Sequence, residues 1–334
     1  MGRLAVVQQR ILGRTGRNVS VVGLGAWQLG ADWGTVSEDD ALMVLAASVD
    51  AGVTFIDTAD VYGDGRSEIL IGRFLREHGP GDTITVATKM GRRVAQEPAN
   101  YVLDNFRAWT DRSRANLGQD ILDLVQLHCP PSQVLADDAV YDALDTLVQE
   151  KRIAAYGVSV ETCAQALTAI ARPGVATVQI ILNALRLKPL RQVLPAAAAA
   201  GVGIIARVPL ASGLLSGKYD EQTTFADDDH RTYNRHGEAF DVGETFSGVD
   251  FATGLDAVRR LMPLVPDDAS MAQFALRWII DQPGVSVVIP GARNAEQARV
   301  NAAAADLAPL DAQQLQAVAQ TYDELIRPQL HHRW

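Results

Sequence analysis

The chain has 334 residues, 48% of them hydrophobic and 21% charged, which excludes a collagen-like, low-complexity or wholly disordered polypeptide. A net charge of −10 repels phosphate backbones and argues against nucleic acid as a partner. Two cysteines, Cys129 and Cys163, cannot build a disulfide framework, and the opening MGRLAVVQQR lacks the apolar run of a signal peptide, so a cytoplasmic setting is expected. Residues 196–215 are apolar but interrupted by Gly201, Gly203, Arg207 and Pro209, so no membrane span is expected.

In chain order, QRILGRTGRNVSVV carries two alternating runs about Gly13 to Asn18 and reads as a hairpin, suited to capping the floor of a barrel. Eight short β-branched runs follow, at residues 22–26, 54–58, 84–89, 122–128, 155–159, 177–182, 203–207 and 285–289. Between and after them, helical spacing marks 38–51, 67–77, 101–117, 139–150, 162–171, 190–200, 270–281 and 295–305, with a further helix at 311–326. Ser37, followed by Glu38, Asp39 and Asp40, caps the first of these and complements its dipole. Residues 216–250 lose helical periodicity and gather Gly, Asp and aromatics, as a long functional loop does. Eight βα units over residues 1–334 predict one (β/α)₈ TIM barrel domain with an N-terminal β-hairpin and an extra C-terminal helix.

Catalytic groups of such barrels sit where strands end. Here FIDTADVY ends in Asp57 with Tyr62 beyond it, TVATK ends in Lys89, and LVQLH ends in His128. Only four of the 30 basic residues are lysines, so a Lys closing an apolar strand needs a partner. Singly, each has a structural reading: Asp57 a helix cap, Tyr62 a packed aromatic, Lys89 a rim charge, His128 a satisfied core imidazole. Jointly they assemble a proton donor. Phenol, with a pKa near 10, is a poor acid, and an ammonium at about 4 Å in an effective dielectric of roughly 20 favours its phenolate by up to about three pK units. Asp57 would hold Lys89 charged, and His128 would orient a carbonyl oxygen.

GLGAWQLG (23–30), FIDTADVYG (55–63), TVATKMG (85–91), DLVQLH (123–128), YGVSVE (156–161), PLASGLLSGKY (209–219) and IPGARNAEQARVN (289–301) together resemble the aldo-keto reductase superfamily across nearly the whole chain, including members similar to potassium channel beta subunits. The resemblance implies an NADPH-binding barrel without a Rossmann domain that reduces aldehydes or ketones by hydride transfer. Consistently, Gln28 stands where the third Gly of G-x-G-x-x-G would fall. It also implies roles: Tyr62 as proton donor, Lys89 and Asp57 as its support, and His128 orienting substrate. Ser159 and Gln179 would contact the nicotinamide carboxamide. Pro209, Leu210, Ser212, Gly213, Leu214 and Lys218 would cover the pyrophosphate, and Gly291, Arg293, Gln297 and Asn301 would take the adenosine end.

Four positions depart from that pattern. Val160 stands where Asn is common. Arg207 stands where many relatives stack an aromatic on the nicotinamide; it would disfavour oxidised cofactor or anchor a substrate carboxylate, or else ion-pair with the Asp227–Asp229 run. Gly291 and Gln297 replace cations of the 2′-phosphate clamp and leave Arg293, so NADPH is expected with NADH possible. Trp27 is the expected flat wall of the substrate pocket, with Trp33 behind it in sequence, while Trp109 is expected to pack. His230 with Asp227–Asp229 fits neither zinc nor EF-hand spacing and reads as a solvated loop; no metal is expected. The partners expected are a small-molecule carbonyl and, as monomer or homo-oligomer, the chain itself. Competing readings are a Schiff-base aldolase using Lys89 and a cofactor-binding regulatory or channel-auxiliary subunit.

Overall fold

The computed structural model describes residues 7–30, 36–78 and 83–334; Trp33 lies outside them. Strands β1 (Gln9–Ile11) and β2 (Asn18–Ser20) form the expected antiparallel hairpin. The eight expected barrel strands follow as β3 (Leu24–Gly25), β4 (Phe55–Asp57), β5 (Thr85–Met90), β6 (Leu124–His128), β7 (Tyr156–Ser159), β8 (Val175–Ile181), β9 (Gly203–Arg207) and β10 (Val285–Val288). Neighbours in sequence are neighbours in the parallel sheet. Val22 bridges Val288 and Gly25 bridges Gly291, so the sheet closes on itself.

Period-two alternation sorts each strand into inward and outward residues, and the inward ones form layers. The lower layer is apolar: Phe55, Ala87, Leu124, Ile205 and Val287 pack with Leu12 and Val19 of the hairpin, which plugs the floor. Gly13 at the hairpin turn has φ +49°, and a Cβ there would lie 2.1 Å from the backbone nitrogen of Gly203, so only glycine allows this approach. Arg10 and Arg14 complete the plug by donating to the carbonyls of Val285 and Pro173, each at 2.7 Å. Two residues further along the strands, the same inward rows become polar: Asp57, Lys89, Gln126, Gln179 and Arg207. Outward residues such as Ile56, Val86, Val125 and Ile204 bury against the helices in the larger core.

Several helices start at side-chain caps. Ser37 accepts from the Asp40 amide at 3.1 Å ahead of Glu38–Asp50, and Thr162 and Ser270 form capping boxes with Gln165 and Gln273. Two helices outside the 216–250 segment were not expected from sequence, the short Ser132–Ala136 and Phe251–Leu261. The latter is the larger. Its interior Gly254 weakens the helical signal, yet a Cβ there would meet Leu214 Cδ1 at 2.6 Å, so the glycine is what lets the helix seat on the 211–216 turn. The last expected helix appears as Ala312–Thr321, a π-turn over Tyr322–Ile326, and Arg327–Leu330. Residues 216–250 form a structured cover with a short helix His230–Tyr233 and turns at Val242–Glu244 and Phe246–Gly248. Its aromatic core joins Phe225, Phe246 and Phe251, with ring centres 5.2–6.0 Å apart. Among the described residues, no helix is long and apolar enough to cross a membrane.

Candidate active site

The polar layer brings together the four strand-end groups that the sequence singled out. Lys89 Nζ donates to Asp57 Oδ1 at 2.5 Å, to the Thr58 carbonyl at 2.8 Å and to the Tyr62 hydroxyl at 3.3 Å. Asp57 is held from its other oxygen by Gln179 at 2.7 Å and Gln126 at 3.2 Å. Gln126 escaped sequence reading, although it occupies the inward position two residues before His128 in LVQLH. The His128 ring stands edge-on to Tyr62, 6.0 Å between centres, and its buried Nδ1 has no hydrogen-bond partner among the described residues.

Electrostatics correct one expectation. Burial pushes the Tyr62 phenol up and outweighs the opposing pull of Lys89, so its pKa lies above the ordinary tyrosine value. Lys89 itself, despite burial, is raised by Asp57 and Tyr62 and stays an ammonium. Burial, with Arg92, Lys89 and Arg207 adding to it, drives His128 well below the usual imidazole range, so it is neutral at pH 7. Asp60, in the turn before Tyr62, is buried with no side-chain partner for its carboxylate among the described residues, and burial together with nearby Glu68 pushes it up to about 7, against the pull of Arg112, Lys89 and the Val61 amide.

Asp60 carries a stability prediction. Because its folded pKa is raised, its contribution is fully present below about pH 4 and is lost as pH rises towards 7. Asp60→Asn therefore gains stability relative to wild type between pH 4 and 7, by at most about 4 kcal/mol, as read from urea denaturation across that range. A difference that does not change with pH contradicts the assignment.

Asp57, Tyr62 and His128 open onto a cavity of about 680 Å³. Trp27, Ser159, Gln179, Arg207, Pro209, Leu210, Ser212, Gly213, Lys218, Gly291, Arg293, Gln297 and Asn301 line it too. Two expected residues do not. Lys89 lies beneath Tyr62, and Leu214 is buried against Gly254 because its side chain faces the helix rather than the cleft. Trp109 packs as expected, against Tyr101 and Phe106. Gln297 and Asn301 shape the 291–294 turn: Gln297 Oε1 accepts from the Arg293 amide at 2.9 Å, and Asn301 donates to the Gly291 carbonyl at 3.1 Å. Lys218, Arg231 and Arg293 also line the cavity, with Asn294, the N-cap of helix Ala295–Ala302. Although Asp229 pairs with Arg231, cationic side chains and a helix N-terminus at one wall suit an anion.

Two charged groups depart from expectation. His230 is 2% exposed rather than solvated; its ring centre lies 5.1 Å from that of Trp27 with the planes tilted by 53°, it lines the cavity, and its pKa is lowered to about 4, chiefly by burial. Arg207 does not reach the Asp227–Asp229 run. It donates to Glu161 at 2.8 Å and to the Val160 carbonyl at 3.2 Å, with Glu244 at 3.6 Å, so its charge is compensated on the spot. Arg92 lies 3.5 Å from Glu161 and 3.4 Å from Glu244, completing a two-plus-two ionic cluster. Cys129 brings its sulfur to within 4.8 Å of both carboxylates, but guanidinium groups occupy those carboxylates and burial raises the thiol to about 12, which is poor metal-binding chemistry. Glu161 was visible in the YGVSVE motif; nothing in the sequence linked it to Glu244.

Comparison with known proteins agrees with this geometry. The family model of the aldo/keto reductases matches residues 21–323. Aldo-keto reductase YhdN of Bacillus subtilis is 31% identical over 288 residues, spanning 85% of this chain and 84% of that protein. Among solved structures, glycerol dehydrogenase AKR11B4 of Gluconobacter oxydans superposes with a TM-score of 0.76 at 27% identity, covering 97% of both chains. An aldo-keto reductase of Klebsiella pneumoniae, solved with NADPH, shares the fold at a TM-score of 0.69 and 24% identity, covering 95% of both. With its barrel, its strand-end quartet and this match over most of its length, the chain belongs to the aldo/keto reductase family.

Proposed function

We propose that this single-domain chain is an NADPH-dependent carbonyl reductase that converts small aldehydes or ketones to alcohols. The observation that carries the reading is the Lys89 ammonium bound to Asp57 and 3.3 Å from the Tyr62 hydroxyl at the wall of the large cavity. The bound reduced nicotinamide would supply the hydride. Tyr62 delivers the proton to the carbonyl oxygen, and Lys89 receives the developing phenolate as its ion partner. Burial that raises the phenol at rest keeps the proton on Tyr62 until the oxygen of the substrate becomes basic. Neutral His128 donates a hydrogen bond to the same oxygen and fixes its direction.

Ser159 and Gln179 would hold the carboxamide, although the Gln179 amide nitrogen is shared with Asp57. Residues 209–213 and Lys218 would cover the pyrophosphate, with Gly291, Arg293, Gln297 and Asn301 around the adenosine. The Klebsiella neighbour, solved with NADPH, supports the cofactor. Lys89 as a Schiff-base nucleophile is disfavoured, since its side chain is 1% exposed and its nitrogen is engaged by three oxygens. The complete quartet likewise weighs against a purely regulatory role.

The test is cofactor oxidation, followed by absorbance, over aldehydes, ketones, sugars and keto acids with NADPH and with NADH. Absence of turnover with every carbonyl contradicts the proposal. Arg293→Ala is expected to weaken NADPH binding by about 10-fold, in keeping with the loss of one charge-assisted contact, and to leave NADH nearly unaffected. Equal loss for both cofactors would place Arg293 away from the 2′-phosphate.

A further inference from the structure

Two facing turns beside the cavity hold backbone that a relaxed chain avoids. In the turn after β9, Val208, Ala211 and Ser212 have φ of +52°, +46° and +55°, and in the cover Phe246 and Ser247 have +51° and +58°. None is a glycine, and such conformations, that of the β-branched Val208 most of all, persist only where the surroundings enforce them. The enforcement is mutual. Ser212 Oγ donates to the Glu244 carbonyl at 3.0 Å and accepts from the Phe246 amide at 3.0 Å. Asn183 Nδ2 donates to the Val208 carbonyl at 2.9 Å and to Ser247 Oγ at 2.7 Å, so one side chain ties both turns together. Val208, Ser212 and Gly213 line the cavity, and they keep their places only while the cover turns keep theirs.

Those cover turns rest in their turn on Trp334. Its side chain is buried, and Arg186 Cζ lies 3.9 Å from the centre of its indole ring. Arg186 is itself anchored, donating to the Glu161 carbonyl at 2.5 Å. A Cβ at Gly248 would come 2.9 Å from the indole; one at Gly243 would come 3.1 Å from the indole, 2.8 Å from Asp241 Oδ1 and 2.3 Å from Arg186 Nη1. Gly248, at φ +75°, is a glycine that its backbone favours. Gly243 has no such φ, so crowding by the guanidinium, the carboxylate and the indole is what calls for glycine there.

We infer that Trp334 is a positioning residue for the cofactor-covering turn: its indole seats the 242–248 turns and, through them, holds Ser212 and the strained backbone at 208–212 in place. The inference rests on the reading of residues 209–213 as the cover of a bound cofactor. It deepens that reading by naming a side chain that is not among those lining the cavity, yet sets how tightly the cofactor is held.

Trp334→Ala is expected to raise the Kd for NADPH, measured by titration calorimetry, by about 10-fold, the loss that follows when the covering turn is in place about one tenth of the time. Trp334→Phe, which keeps a ring on the guanidinium, is expected to stay within about 3-fold of wild type. A role confined to stability predicts instead a lower unfolding midpoint with unchanged affinity. Arg186 Nε and Nη1 have no hydrogen-bond partner among the described residues, so water admitted by the truncation meets them and limits its cost in stability. Should Trp334→Ala nevertheless fail to fold, Gly243→Ala, which drives a methyl group against the guanidinium and the indole, carries the same expectation. Without cofactor, the amides of residues 208–216 are expected to exchange with deuterium at least about 10-fold faster in the variant than in wild type, with those of β5 and β6 unchanged. Unchanged NADPH affinity in the variant overturns the inference. Should wild type bind neither NADPH nor NADH, the cofactor reading fails by itself and the exchange rates decide: selective acceleration at 208–216 supports the inference, and equal rates refute it.

Discussion

Tyr62→Phe is expected to lower kcat by at least about 10²-fold with NADPH binding retained. The substitution removes one oxygen and leaves the ring, so the contacts with Trp27 and His128, at 6.4 and 6.0 Å between ring centres, can persist. What disappears is the hydroxyl that Lys89 holds at the cavity wall, and with it the proton for the carbonyl oxygen. Neutral His128 cannot substitute: its pKa is driven far below the range in which an imidazolium would supply a proton at pH 7. Steady-state rates with a saturating aldehyde, set beside NADPH binding by fluorescence, separate the two effects. A variant with wild-type turnover would remove Tyr62 from the chemistry.

The second large effect concerns stability. Asp57→Asn is expected to reduce the unfolding free energy by about 3–5 kcal/mol, since it strands the Lys89 ammonium, 1% exposed, without its counter-ion. The remaining oxygens of Thr58 and Tyr62 solvate that charge only partly. The double variant Asp57→Asn/Lys89→Met removes both charges and is expected to recover most of the loss, because the expense lies in a solitary charge rather than in the absence of the pair. Urea denaturation of both single variants and the double variant closes the cycle. A single-variant loss within about 1 kcal/mol would mean that water reaches the pair.

Much of this architecture was legible in the sequence because strands alternate in and out. Once FID, TVATK and LVQLH are read as strands, Asp57, Lys89 and His128 fall on inward rows, and their meeting follows from closure of the sheet. Edges shifted by a residue or two, as between the expected 22–26 and the observed Leu24–Gly25. What periodicity could not deliver were contacts made by the cover. Glu244 and His230 reach the cavity only because residues 216–250 fold back over it, and no local pattern announces that path. The same gap led Arg207 to be matched with the wrong acids. Helix Phe251–Leu261 was lost to Gly254, whose value lies in its contact with Leu214 rather than in local propensity. The direction of the Tyr62 shift also depended on depth of burial, which sequence does not report.

The seam of the barrel, where Val22 bridges Val288 and Gly25 bridges Gly291, has a consequence for biogenesis. Every other ladder joins strands that leave the ribosome in succession, whereas this one waits for residues from opposite ends of the chain. A nascent polypeptide that has emerged only as far as β9 exposes two open ladder edges, surfaces that invite pairing with other chains. Translation pauses or shielding by holdase chaperones would matter most in that interval.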